Sequence, residues 1–422
     1  MKEMKTDVVI IGAGHAGLNA LKEVRKVTDN YILINGGGLG TTCARYGCMP
    51  SKVAIQLAES YHDRGNLKKW GIEGTDSIRI DEHRMMDHVR DMRDMFVDLI
   101  LANTTDEMGE ELIEGYARFV TPNLIEVNDI QIHTGATVVA TGSRSAIPAK
   151  WQKYADEFLY AENLFEMETF PESVAVIGLG PIGIEMGQAL HRLGVAVTGF
   201  EAGNNIARVS DPVINKAAID IISREFLLHV GSPASIEKQD GQFKVSAGEH
   251  DVMVDKVLLS IGRTPNMDKT GVFDLLDDTI DPLGLPINPY TMQLADLPIY
   301  IAGDANGKSA TLQVAADEGR IAGINASRKQ PISVKPKTHM GIVCSEPNIT
   351  SVGLTWDKIN EENCIIGQHR FGPTGRAIIM GKNRGVMRVY ADRESGIELG
   401  LSLIHISEPT RLKTRSRMPS SA

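Results

Sequence analysis

One unit written twice constrains this 422-residue chain more than any other feature. Residues 8–11 form a short apolar run that enters Gly12-Ala13-Gly14-His15-Ala16-Gly17, and residues 174–177 do the same before Gly178-Leu179-Gly180-Pro181-Ile182-Gly183. In both places an amphipathic helical pattern follows, and a second apolar strand ends at the same offset, at Asn35 and at Glu201. Strand, glycine turn, helix and strand in that order make a βαβ unit. A dinucleotide pyrophosphate is bulky and doubly negative, so it needs backbone N–H groups at a helix N-terminus with no Cβ in the way. Gly12, Gly14, Gly178 and Gly180 supply that access, while Gly17 and Gly183 let each helix lie close on its strand. A lone motif of this kind is often only a flexible turn; two copies with matched spacing predict two dinucleotide-binding units.

The residue closing each unit bears on which nucleotide it takes. An acid there accepts a ribose 2′-hydroxyl and repels a 2′-phosphate, so Glu201 predicts NAD over NADP, with Arg208 the nearest basic residue to complicate the choice. Asn35, in the first unit, can still hydrogen-bond a ribose but brings no charge.

A formal charge of -10 argues against nucleic acid as a main partner, because polyanion binding needs a basic face. No run of roughly eighteen apolar residues is present and no leader precedes the first strand, so no membrane span is expected and the expected location is the cytoplasm. Four cysteines in a chain of this length exclude a disulfide scaffold, and the close pair Cys43 and Cys48 reads as redox or metal chemistry. Cys344 and Cys364 are scattered.

Between the two units, residues 84–100 carry Met85, Val89, Met92, Phe96, Leu99 and Ile100 at helical spacing, a stripe that reads as core or subunit packing. Residues 124–127 and 136–140 read as strands, and 147–153 as a linker. The second unit ends near 257–261, another short strand covers 299–302, and 331–336 reads as a further linker before a third, α+β region with strands near 349–354 and 386–390. From about Leu401 the composition changes: 401–422 holds four Lys or Arg and one acid. Ser402 to Arg411 resembles the translated read-through of a sequencing adapter, so 401–422 is expected to be a non-native tail, the alternative being a disordered basic tail.

The segment Cys43-Ala-Arg-Tyr-Gly47-Cys48-Met-Pro50-Ser51-Lys52 directly follows the first unit. Cys-x4-Cys fits no common zinc pattern, and no metal site is expected. At a helix start the two sulfurs can meet across roughly one turn, where the helix dipole favours a thiolate. These residues, with Ala140-Thr141-Gly142, Gly262-Arg263-x-Pro265-Asn266 and Ala302-Gly303-Asp304, resemble the pyridine nucleotide-disulfide oxidoreductases, on the branch of dihydrolipoamide dehydrogenase and mercuric reductase.

That resemblance implies an α/β fold of two Rossmann-like nucleotide-binding domains, for FAD and NAD, followed by an incomplete α+β dimerisation domain. The expected division is 1–149 and 267–333 for FAD, 150–266 for NAD, and 334–400 for the dimerisation domain. It also implies that Cys43 is the thiol that meets substrate and Cys48 the one beside the flavin. Lys52 would stabilise the reduced flavin, Glu185 would pair with Lys52, and Asp304 would hydrogen-bond the ribityl chain. Thr42, Gly115, Ala117, Thr141, Gly142 and Gly262 join the expected cofactor contacts. The expected reaction moves electrons between a dithiol, first dihydrolipoamide free or as a protein-bound lipoyl group, and NAD, in a homodimer. Mercuric reductase is the alternative enzyme, and a nucleotide-binding flavoprotein without disulfide turnover is the alternative class. The family's C-terminal His-Pro motif with its following Glu is not found: His405 is followed by Ile406 and Glu408, so impaired dithiol turnover is expected. His339 and His369 read as surface or core histidines.

Overall fold

The computed structural model describes residues 2–276 and 284–405. The β-branched runs around both glycine motifs form the centres of two parallel sheets. In the first, Lys2–Ile11 lies between Tyr31–Asn35 and Ile130–Val139, all parallel, and Ile299–Ile301 returns late in the chain to pair with Ile130–Val139. Antiparallel strands Leu124–Val127 and Arg118–Thr121 extend one side. In the second, Ser173–Ile177 lies between Ala196–Glu201 and Lys256–Leu259, with Leu227–Val230 outside, again all parallel. Parallel strands covered on both faces read as continuous apolar runs, which is why Val8, Val9 and Ile10 and then Val174, Ala175 and Val176 are all buried.

Two helices fix the late return to the first sheet. His15–Val24 packs against Leu312–Ala326 at backbone distance: a Cβ on Gly319 would sit 2.1 Å from the Ala16 carbonyl oxygen, and one on Gly323 would sit 2.4 Å from that of Ala20. Small residues at i and i+4 on both helices therefore permit the contact.

The third region is an antiparallel sheet in the order Met340–Val343, Asn348–Gly353, Glu398–His405, Val386–Asp392, Cys364–Arg370. Its middle strand runs four residues past the boundary expected at Leu401. Residues 401–404 pair with both neighbours and His405 with Asn348 alone, and Gly400, Ser402 and Ile404 point inward by simple alternation. The change in charge begins only after this strand; residues 406–422, including Glu408, lie outside the described residues.

Two other expectations shift. The helix Glu82–Ala102 buries Met86, Val89 and Val97, so the inward stripe is rotated from the expected one: of that set only Val89 is buried and Leu99 is 54% exposed. Apolar residues in adjacent pairs (Met85 and Met86, Leu99 and Ile100) leave the phase ambiguous although the period is plain. Residues 147–153 are not a bare linker, since Ala149–Tyr154 is a 3₁₀ helix with Trp151 buried.

The third region is locked to the second by a buried charge cluster. Asp211, fully buried, caps the helix Pro212–Ile222 by accepting from the N–H groups of Val213 and Ile214. Its other oxygen accepts from Arg388 Nη1 at 2.7 Å and from Tyr390 Oη at 2.6 Å. The Arg388 guanidinium also lies over the Trp356 ring at 4.6 Å. Arg388→Met should destabilise the protein by about 3–5 kcal/mol, because it leaves a carboxylate buried without its counter-charge. Urea unfolding reads this; an unchanged midpoint would show that the cluster contributes little.

Candidate functional site

The glycine loops of the two units superimpose in function as well as in sequence. The Ala13 N–H donates to Asn35 Oδ1 at 3.0 Å, and the Leu179 N–H donates to Glu201 Oε2 at 2.8 Å, each 22 residues along the chain. The strand-end side chain thus braces the loop that starts the helix, and an amide does this as well as a carboxylate. Asn35 is secured further by donating to the Gly37 carbonyl at 2.9 Å.

The open positions in the two loops are the middle glycines. A Cβ on Gly14 or Gly180 would meet nothing within 4 Å, and the helices behind them, His15–Val24 and Pro181–Arg192, start without a side-chain cap. Gly12 and Gly178 have φ of +107° and +91° and are crowded instead by passing backbone: a Cβ would come within 2.3 Å of the Ala140 oxygen and 2.7 Å of the Ser260 oxygen. Gly17 and Gly183 touch those same turns, with Cβ positions 1.8 and 2.0 Å from the Gly12 and Gly178 oxygens. The first and third glycines are thus tightly packed against backbone, and the second is open on its Cβ side; Gly178 lines the cleft together with Gly14 and Gly180.

A cleft of about 1060 Å³ runs between the two units, lined among others by Gly14, Thr42, Cys43, Cys48, Lys52, Gly142, Gly180, Glu185, Glu201, Gly262 and Asp304. Of the remaining expected contacts, Gly115 donates its N–H to the Asn35 carbonyl at 3.0 Å and Ala117 is buried. Thr141 Oγ1 and His15 Nδ1, both buried beside the first loop, have no hydrogen-bond partner among the described residues. Unsatisfied polar atoms around an open, N–H-rich cradle fit a polar dinucleotide such as FAD.

Three motif segments distant in sequence knit the cleft together. Ser143–Ser145 pairs with Arg263–Pro265, and the Asn266 N–H donates to the Gly142 carbonyl. Asp304 accepts from Ser143 Oγ at 2.6 Å, while Arg263 donates to Ser143 Oγ and to Glu162. Glu318, which sequence reasoning passed over, accepts from the Gly303 N–H and from Asn306 and so sets the turn that carries Asp304. Burial pushes its carboxyl upward.

At the cleft's centre Cys43 lies in the short helix Thr42–Arg45, and Cys48 is the first residue of Cys48–His62. Both are present as thiols. Thr41, buried with φ of 66°, caps the first of these helices by accepting from the Ala44 N–H. Cys48 is lowered to about 7, first by the hydrogen bond it accepts from Cys43 and then by the Lys52 ammonium; giving that hydrogen bond and being buried raise Cys43. The pair is therefore unequal, with Cys48 the more readily ionised thiol. Lys52, one turn on from Cys48, pairs with Glu185 Oε2 at 2.8 Å, and although burial opposes its charge, Glu185 holds the ammonium above its ordinary value.

One further thiol arrives that the spacing gave no reason to expect. Cys344 donates its backbone N–H to Glu185 Oε1 at 2.7 Å, and its thiol lines the same region as Lys52, whose charge acts on it. Burial raises this thiol, with Lys52 opposing. Of the histidines, His339 is exposed at the cleft edge, and both His369 and His405 lie against Phe371, the latter stacked at 3.5 Å.

Residues 6–319 match the family model described as pyridine nucleotide-disulphide oxidoreductase, and 340–409 match that family's dimerisation domain. The chain belongs to the pyridine nucleotide-disulphide oxidoreductases. It is 27% identical to a dihydrolipoyl dehydrogenase of Bacillus subtilis over 95% of this chain and 89% of that protein. It is also 27% identical to a mercuric reductase of Bacillus cereus over 94% of this chain, but this spans only 64% of the relative. The HOCl-induced flavoprotein disulfide reductase RclA of Escherichia coli, solved as a Cu(II) complex, shares the fold with a TM-score of 0.78 at 20% identity, over 96% of this chain and 90% of that one. The protein is thus a flavoprotein disulfide oxidoreductase of mixed α/β fold, a family that uses FAD and NAD(P). No helix among the described residues is long and apolar enough to cross a membrane.

Lys52→Met should raise the Cys48 titration by about one unit, since it removes the cation that favours the thiolate and frees the Glu185 carboxylate to oppose it. Alkylation of the reduced protein by iodoacetamide across pH 5 to 9 measures this. A midpoint that stays near 7 would show that Cys43 alone sets it.

Proposed function

We propose that this chain moves two electrons between dihydrolipoamide, free or as a protein-bound lipoyl group, and NAD, as a homodimer, with Cys43 meeting the substrate. The observation that carries this reading is the placement of Cys43 and Cys48 in the cleft with Lys52, paired to Glu185, one helical turn from Cys48. When the pair is a disulfide, a substrate thiolate attacks Cys43, the S–S bond breaks, and the departing sulfur is Cys48, whose thiolate Lys52 stabilises. The second substrate thiolate then displaces Cys43, which leaves oxidised substrate and a reduced pair. Bound FAD would supply the relay between that thiol pair and the nicotinamide. Gly14 and the start of His15–Val24 would hold its pyrophosphate, Asp304 its ribityl chain, and Lys52 negative charge on its ring. Thr42, Thr141 and Gly142 would border it, and Asn35, Gly115 and Ala117 would shape the first unit around it.

On the nicotinamide side, Gly180 and the helix Pro181–Arg192 would receive the pyrophosphate, and Gly262 would border the nucleotide. The choice of NAD rests on Glu201, whose carboxylate lines the cleft while also holding the Leu179 and Gly203 N–H groups. A 2′-phosphate would meet that negative charge; Arg208, on the same cleft wall, favours the phosphate. The homodimer reading is supported by the dimerisation-domain match and by exposed Ile342, Ile365, Ile378 and Ile379 on the third region.

NADH should reduce the FAD-loaded protein faster and bind it more tightly than NADPH in stopped flow, and the reverse preference would overturn the assignment. Lipoamide-dependent turnover, measured beside Hg(II)-dependent oxidation of NADH, tests the substrate. Cys43→Ser should abolish lipoamide turnover yet spare NADH-driven reduction of an artificial acceptor. Turnover with Hg(II) but not lipoamide would refute the dithiol reading.

A further inference from the structure

Two turns beyond Lys52, roughly 10.5 Å along the same helix, Glu59 meets a second charged cluster that the redox chemistry does not use. Lys382 Nζ lies 3.0 Å from Glu59 Oε1 and 2.6 Å from Glu346 Oε2, so one ammonium serves two carboxyls from different parts of the fold. Both carboxyls converge on that one ammonium, and two like charges crowded into one site favour a proton held by one of them. Around them stand Arg192, 3.9 Å from Glu346 and paired with Glu225 at 2.8 Å, the exposed His62 and the half-buried His191.

Glu346 belongs to a segment laced to the helix that carries Glu185. The Glu346 N–H donates to Gln188 Oε1 at 2.7 Å, Gln188 Nε2 donates back to the Glu346 carbonyl at 2.8 Å, and the Cys344 N–H donates to Glu185 Oε1 at 2.7 Å. Glu185 and Gln188 are three residues apart and share one helix face. Whatever holds Glu346 therefore also holds the donor that orients Glu185, and Glu185 in turn orients Lys52 beside Cys48.

We propose that Glu59 and Glu346 share one proton as a latch, and that loss of this proton loosens residues 344–346 from Glu185 and so relaxes the Lys52 ammonium at Cys48. Glu346 and Glu59 are positioning residues in this scheme, acting through the backbone of Cys344. Its bearing on catalysis rests on the function proposed above, but the latch itself does not.

The sign follows from where the proton is held. Burial and the hydrogen bond to Glu59 push Glu346 up to about 7, whereas the opened segment returns it to the ordinary carboxyl range. The closed state binds the proton more tightly, so closure is fully favoured at low pH, weakens as pH rises through that interval, and levels off above about 7. Glu59 shifts downward, first through its hydrogen bond to Glu346, and titrates below this window. Burial lowers His62 and His191, which gives a dependence of opposite sign that cannot imitate the effect.

Hydrogen–deuterium exchange of the FAD-loaded protein, followed by mass spectrometry and corrected for intrinsic rates, tests the latch in the peptide covering 344–346. Protection in the wild type should fall on the order of tenfold between pH 5 and pH 7 and then level off. Glu346→Gln, which cannot ionise, should show a flat profile, and Glu59→Gln a displaced one. Wild-type protection independent of pH, or the same fall in Glu346→Gln, would overturn the proposal. Because exchange does not need turnover, a failure of the lipoamide assay leaves this result unaffected, and the reverse also holds.

Discussion

Everything at the centre of this molecule depends on one ion pair across the cleft, Lys52 with Glu185. It joins the first turns of two helices, Cys48–His62 and Pro181–Arg192, which begin at the redox pair and at the second glycine loop. An exposed lysine–carboxylate contact is worth little, and Lys52 is partly exposed, so its importance is positional rather than energetic. It puts a positive charge one helical turn from Cys48, where it favours the thiolate, and anchors that charge to the other nucleotide unit. The same carboxylate then takes its second hydrogen bond from the third region. Three parts of the chain meet on one side chain.

How much of this the sequence shows depends on how far apart the cooperating residues lie. Strand, glycine turn and helix are local, and the two cysteines and Lys52 lie within ten residues, so pattern and chemistry could be read together. The Lys52–Glu185 pair spans 133 residues and was reachable only through resemblance to a family; no periodicity in the chain points to it. Cys344 lies 159 residues from Glu185 and was set aside as scattered, since nothing local distinguishes its thiol from a buried one. Glu318 was missed for a related reason: an acid inside a helix reads as solvated until the turn it holds is seen.

Asn35 and Glu201 show a subtler limit. Their common position was plain from the matched units, and the concern was whether an uncharged residue could serve. The structure shows that the shared task is to accept one backbone N–H from the glycine loop, which needs an oxygen but no charge. Charge matters only for what lies outside the loop. One position therefore carries two separable duties, and sequence alone displays only the second.

The third region adds to what holds the two nucleotide units about their cleft. One core cluster already joins Ala54, Ala58 and Val89 of the first unit to Val174 and Ile184 of the second and to Val343 and Ile349 of the third region, and Ser143–Ser145 pairs with Arg263–Pro265 between the units. The antiparallel sheet adds two charged locks, at Asp211 and at Glu346. Buried charges of this kind are poor sources of net stability because desolvation offsets most of their attraction, but they tolerate almost no displacement. Apolar contacts alone would let the surfaces slide by fractions of an ångström. Where a thiolate, an ammonium and two nucleotides have to keep their places across three parts of a chain, directional hydrogen bonds between buried charges limit that sliding.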